Sequence, residues 1–210
     1  MVAKIITIAQ QKGGAGKTTL AAHLAVAWSG LGHRVAVVDI DPQGSLTAWD
    51  RLRAEVGPAT TLDVRGVSGW RVATEVDRLK RDHAIVLVDS PPHAETEARA
   101  AVRAADLVVV PVQPSPMDLW ASRATLDMAR KEGTPALVVL NRVPPRAKLT
   151  QTMQQKIAEL GAPVADTVIG NRVALAAAML EGQGIGEYDP RSRAGQEIEA
   201  LAREILNFKG

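Results

Sequence analysis

Gln11-Lys12-Gly13-Gly14-Ala15-Gly16-Lys17-Thr18-Thr19 lies between an apolar, β-branched run (Lys4–Ala9) and a stretch of helical spacing (Lys17–Ser29). The glycines let consecutive backbone N–H groups turn inward around an anion. A helix opening near Lys17 would add the positive end of its dipole to the same point. In a strand–loop–helix context, Lys17 is placed to reach the terminal phosphates of a nucleotide, and the Thr18 hydroxyl to ligate Mg²⁺. Gly13, Gly14, Ala15, Gly16 and Thr19 complete the candidate cradle.

Outward from this loop, β-branched runs alternate with helical spacing along the whole chain. Strands are predicted at Lys4–Ala9, Arg34–Ile40, Thr61–Val67, Ala84–Asp89, Leu107–Val112, Ala136–Asn141 and Pro163–Val168. Unbroken apolar runs such as Ile85–Val88 are expected of parallel strands covered on both faces. Helices are predicted at Lys17–Ser29, Leu46–Glu55, Trp70–Arg81, Ala94–Ala104, Met117–Lys131, Leu149–Glu159, Arg172–Glu181 and Ser192–Asn207. The alternation predicts an α/β fold: an open, mostly parallel sheet with helices on both faces. Ligands of such sheets bind beyond the carboxyl ends of the strands. Neither Val143–Arg146 nor Gly182–Gly186 is long enough to be a domain linker, so residues 1–210 read as one domain.

Composition narrows the chemistry. The 210 residues are 46% hydrophobic and contain no cysteine, which excludes thiolate metal sites, Cys-ligated iron–sulfur clusters and a cysteine nucleophile. Twenty-five basic side chains against 23 acidic ones give only +2, so any nucleic-acid role needs local clustering. The start of the chain lacks the order of a signal peptide, and its apolar runs are far shorter than the roughly 20 residues of a membrane span. A soluble, cytoplasmic chain is expected. The four histidines show no metal-ligand spacing, and the four tryptophans read as helix packing.

Carboxylates end two of the predicted strands. Asp39 and Asp41 are two apart, which on a strand places both on one side. Asp89 closes the run Ile85–Val88 and is followed by Ser90-Pro91-Pro92. Acids beside a phosphate loop imply Mg²⁺ or a water between them and the phosphates.

The loop departs from the usual phosphate-binding pattern: Gln11 stands where its first glycine would be, and a second lysine, Lys12, follows. Here the sequence resembles the ParA/MinD-type deviant Walker A ATPases, a class of P-loop NTPases with the signature K-G-G-x-G-K-[ST]. The resemblance implies that Lys12 crosses a two-fold interface to phosphate on the partner subunit, giving a sandwich homodimer when both subunits hold ATP–Mg²⁺. Asp39-Ile40-Asp41-Pro42-Gln43 is similar to the family's D-x-D-P-Q motif. By that resemblance Asp41 orients the attacking water and Asp39 supports the magnesium side, while Asp89 is expected to hold a Mg²⁺-bound water. Asn141, at the end of a predicted strand, matches a base-contacting asparagine. Val110–Pro116 resembles the family's proline-rich segment near the dimer interface.

What the ATP dimer binds is argued from charge. Arg142, Arg146, Lys148 and Lys156 lie in a stretch without acids, and Arg172, Arg191, Arg193, Arg203 and Lys209 follow. Doubled in a dimer, such a face suits phosphate contacts with DNA of any sequence. ParA-type proteins bind DNA in that manner, so nucleoid association is expected, with release when a centromere-binding or cargo-adaptor protein stimulates hydrolysis. The alternative is a MinD-like membrane switch, which needs a basic amphipathic terminal helix. The tail 196–207 sets Ile198, Leu201, Ala202 and Ile205 on one side but carries Glu197, Glu199 and Glu204 elsewhere, which suits a docked helix better. Nitrogenase-type iron proteins are disfavoured by the lack of cysteine. The chain looks most like the short ParA ATPases of plasmid partition.

Overall fold

The computed structural model describes residues 2–92, 95–145 and 149–210. Six strands, β1 (Lys4–Ile8), β2 (Val35–Asp39), β3 (Asp63–Gly66), β4 (Ile85–Asp89), β5 (Leu107–Val112) and β6 (Ala136–Leu140), form one sheet in the order β3-β2-β4-β1-β5-β6. Every pairing is parallel. The helices are α1 (Lys17–Gly30), α2 (Ser45–Val56), α3 (Val72–Leu79), α4 (Glu95–Arg103), α5 (Pro116–Glu132), α6 (Leu149–Ala158), α7 (Val173–Leu180), α8 (Ile185–Tyr188) and α9 (Arg193–Asn207).

Side-chain alternation divides the core into two layers. Val35, Val37, Ile85, Leu87, Leu107, Val109, Leu137 and Val139 pack with α1, α2, α7, α8 and α9. Their alternates feed the opposite face: Val108, Val110, Val138 and Leu140 meet α4, α5 and α6, while Ala36, Val38, Val86 and Val88 meet α3. Helix α1 is buried nearly all round, as a helix between a sheet and an outer layer must be. The Trp28 indole N–H donates to the Ala202 carbonyl at 3.0 Å and ties α1 to α9. The apolar face of α9, with Ile198, Leu201, Ala202 and Ile205, is buried in this core. Lys4 Nζ donates to the carbonyls of Ile205 (2.7 Å) and Leu206 (3.0 Å) at the end of α9.

Four expectations need correction. Residues 163–168 do not form a strand. Val164 makes only an isolated bridge to Val138, because the amides of Asp166 and Thr167 donate to the Glu204 carboxylate on α9 at 2.6 and 3.0 Å. The predicted helix 70–81 begins instead as a 3₁₀ turn at Gly69–Arg71 and becomes α-helical from Val72. Trp28 and Trp49 do pack under helices, whereas Trp70 and Trp120 are 81% and 66% exposed. The break at 182–186 also leads into the short helix α8.

Candidate functional site

Because β1 lies between β4 and β5, the loop that follows it emerges at the middle of the carboxyl edge of the sheet. Asp89 ends β4 on one side, with Asp39 beside it as its register partner on β2. The β5–α5 loop and Asn141, just after β6, stand on the other side. Residues scattered from position 10 to 142 thus meet at one edge.

The loop is preformed by its carbonyl groups. Gly14 O accepts from Gln113 Nε2 at 2.8 Å and from Arg142 Nη1 at 3.1 Å. Ala15 O accepts from Asn141 Nδ2 at 2.8 Å, and Gln10 O accepts from Lys17 Nζ at 3.0 Å. With the carbonyls drawn outward, the amides of Gly13 to Thr19 donate to no acceptor among the described residues. Gly14 and Gly16 make this possible at φ +81° and +86°, where a side chain is strained. A Cβ on Gly16 would also lie 2.7 Å from Asn141 Nδ2. The result is a row of unpaired N–H groups at the amino end of α1, which suits a phosphate chain.

Lys17 is 7% exposed, and burial holds its ammonium below the usual lysine value, with Asp89 and Asp41 pulling the other way. Asp89 is 1% exposed, and neither carboxylate oxygen has a hydrogen-bond partner. Burial pushes its pKa up to about 7; the neighbouring Thr18 hydroxyl opposes that shift, and Asp39 adds to it. An orphaned buried carboxylate beside a threonine at the amino end of α1 fits a divalent cation or its water. Among the described residues no group of three or more His, Asp or Glu makes a ready cage. A Mg²⁺ here would therefore share its shell with phosphate oxygens and water, as Mg²⁺ prefers.

Asp39 and Asp41 do not act as a pair on one strand face. Strand β2 stops at Asp39, and Asp41 opens a turn in which its Oδ1 accepts from Gln43 N at 2.9 Å and its carbonyl from Gly44 N at 2.8 Å. Asp39 accepts from Thr47 N and Thr47 Oγ1, each at 3.0 Å, and from Asp41 N at 3.1 Å. In this state it anchors the start of α2 and the turn that carries Asp41. Asn141 is held within the chain in this state. Its amide N–H clamps Ala15, and its oxygen accepts from Arg142 N at 3.0 Å, so both ends of the group are engaged within the chain. It still borders a cavity of about 270 Å³ with Thr19, Leu20, His23 and Arg172, next to the cradle.

Lys12 lies beside the loop with its Nζ 2.5 Å from Asp118 Oδ2 on α5. Gln10, Gln113, Asp118 and Thr125 were not singled out from the sequence, though all touch the loop. Gln113 lies within the proline-rich segment Val110–Pro116, and Ser115-Pro116-Met117-Asp118 carries a capping pattern at the start of a predicted helix.

The basic face is smaller than the run of charge suggested. Lys156, Arg172, Arg193 and Arg203 are ion-paired with Glu159, Glu197, Glu197 and Glu199. Arg142 reaches back to Gly14, and Arg146 and Lys148 lie outside the described residues.

A model of the CobQ/CobB/MinD/ParA nucleotide-binding domain matches residues 6–185. The chain belongs to this family. Maintenance of carboxysome distribution protein A from Halothiobacillus neapolitanus is 33% identical, with 96% of this chain and 95% of that protein covered. The chromosome-partitioning ATPase Soj of Thermus thermophilus is 32% identical over 96% and 94%. Among solved structures, the septum site-determining protein MinD of Pyrococcus horikoshii, complexed with Mg-ADP, superposes with a TM-score of 0.80. That match has 22% identity and covers 98% of this chain and 96% of the other, and it shows the fold. The resemblance to ParA/MinD-type P-loop ATPases therefore holds across nearly the whole chain. No helix among the described residues is long and apolar enough to cross a membrane.

Proposed function

We propose that this chain, acting as one domain, is an ATP-driven positioning switch of the ParA type. The observation that carries the reading is the row of unpaired amides from Gly13 to Thr19 set beside the orphaned carboxylate of Asp89. Such a site is organised for a polyphosphate and a divalent cation before either arrives. Bound ATP–Mg²⁺ would supply the scissile phosphoanhydride and neutralise its charge. Lys17 leaves the Gln10 carbonyl for the terminal phosphates, Thr18 and Asp89 hold the metal side, and Asp41 orients the attacking water from its turn. Lys12 reaches the partner subunit's nucleotide, so that two ATP-loaded subunits close face to face.

In this reading the dimer binds DNA without sequence preference, and an adaptor protein on the cargo stimulates hydrolysis and release. Support comes from relatives named for carboxysome distribution and chromosome partitioning, each matched over nearly its full length. Both names describe placing a large body inside a cell, and the cargo of this chain is proposed to be of that kind. The apolar face of α9 is buried in the core with α1, which favours DNA over a membrane surface for this helix. The test is fluorescence anisotropy on random-sequence duplex DNA, with ADP or a slowly hydrolysed ATP analogue, at two salt concentrations. Binding only with the analogue, weakening steeply with salt, is expected. An ATP-dependent dimer with no affinity for DNA would overturn the DNA half of the proposal.

A further inference from the structure

Asp118 is the counter-charge of Lys12, and its surroundings are unusual for an aspartate in the first turn of a helix. Ser115 caps α5, its Oγ accepting from Asp118 N at 3.2 Å. In a reciprocal capping box the side chain at Asp118 would return to the Ser115 amide. That amide instead donates to Gln113 O at 2.7 Å. The Asp118 carboxylate is turned toward the phosphate loop, where Oδ2 accepts from both Lys12 Nζ and Ser115 Oγ. Oδ1 is buried and has no partner. The aspartate side chain is 2% exposed against 38% for the lysine. A buried carboxylate is thus neutralised by a half-exposed cation that belongs to the loop.

We propose that Asp118 is an intramolecular latch on Lys12, setting the threshold at which the nucleotide-loaded chain dimerises. The inference rests on the reading that Lys12 crosses to a second copy of this chain. Reaching across to a partner's phosphate would draw Lys12 away from its own Asp118. Moving it strands a carboxylate already short of one hydrogen bond, where the amino end of α5 gives only partial relief. The pair therefore opposes dimerisation until a partner's phosphate offers the ammonium a stronger counter-ion. Asp118 acts through Lys12, as a positioning residue, and touches no reacting atom.

The test uses Asp118→Asn in the full chain, which keeps the shape and the contact to Ser115 but removes the charge. Sedimentation with AMP-PNP reads the monomer–dimer dissociation constant, and a fluorescent ADP analogue reads monomer affinity. The expected result is a dimer at least about tenfold tighter, near 1.4 kcal/mol, with ADP affinity unchanged. A purely structural effect on α5 would also move the ADP affinity, which is expected to stay at the wild-type value in Asp118→Asn. If the asparagine variant does not fold, Asp118→Ser carries the same expectation. An unchanged or weaker dimer from the folded aspartate variant, alongside a Lys12→Gln chain that fails to dimerise, overturns the latch alone. A Lys12→Gln chain that dimerises like the wild type, or a wild-type chain and aspartate variant that both stay monomeric, overturns the lysine-crossing reading and the latch with it.

Discussion

Asp39 and Asp89 are register partners at the carboxyl ends of neighbouring parallel strands, yet one is hydrogen-bonded through both oxygens and the other through neither. The same residue type, placed side by side, holds the framework in one case and waits for a ligand in the other. Asp39→Asn is therefore expected to destabilise the nucleotide-free chain by about 2 kcal/mol, the scale of hydrogen bonds to a charged group. Asp89→Asn removes an unpartnered buried carboxyl group and should leave the melting temperature unchanged or higher. It should also abolish the Mg²⁺ dependence of nucleotide binding. Thermal unfolding with and without Mg²⁺–nucleotide checks both, and an Asp89→Asn chain that keeps its Mg²⁺ dependence would move the cation elsewhere.

Lys17→Ala removes the charged donor that now rests on Gln10 O. A charge-assisted contact of this kind predicts a loss of nucleotide affinity of roughly 10- to 100-fold. Titration with a fluorescent nucleotide measures it, and a loss below threefold would show that the backbone amides suffice.

Asp41 sits in a turn beyond β2, and its Oδ2 has no partner among the described residues. Asp41→Ala is expected to keep nucleotide binding and dimerisation while slowing hydrolysis by about 10²-fold, the scale for loss of a group that positions or deprotonates water. Single-turnover phosphate release gives the rate. Hydrolysis at the wild-type rate would assign the water to another residue.

His23 gives the fold an acid limit. Its Nδ1 accepts from Ile185 N at 3.0 Å while Nε2 donates to Leu175 O at 3.1 Å, so the neutral ring joins α1 to α7 and α8. Burial lowers its pKa from 6.5 to about 4. The unfolded chain therefore takes up the proton first on acidification. The stabilisation is complete above pH 6.5 and drains away as pH falls through 4. At about 1.4 kcal/mol per pKa unit this amounts to about 3 kcal/mol. Urea unfolding between pH 7 and 4 should show this slope in the wild type and a shallower one in His23→Gln; parallel slopes would remove His23 from the account.

Much of this was legible because it is local. The Ile85–Val88 run reads as a parallel strand since its alternating residues feed two cores, Ile85 and Leu87 one way, Val86 and Val88 the other. The cradle reads from nine consecutive residues because glycine, lysine and threonine act there through the backbone they share. What the sequence hid depends on partners far along the chain. Asn141 could be placed near the site but not given its contact, since Ala15 lies 126 positions away. Asp118 and Lys12 are 106 apart, with no periodicity to join them. The seventh strand failed through Glu204, which takes the amide of Asp166 from 38 residues further on. The charge of the basic stretch is offset by Glu159, which lies just beyond it and pairs with Lys156, and Arg172 is met by Glu197 from 25 residues further on.

The tethers on the Gly14 and Ala15 carbonyls make the cradle answerable to its neighbours. Gln113 pulls from the segment after β5, and Asn141 and Arg142 pull from the end of β6. A protein that grips either segment from outside would slacken or tighten the amides around the phosphates without approaching them. Two remote handles on one candidate phosphate cradle would let its grip be set from the surface.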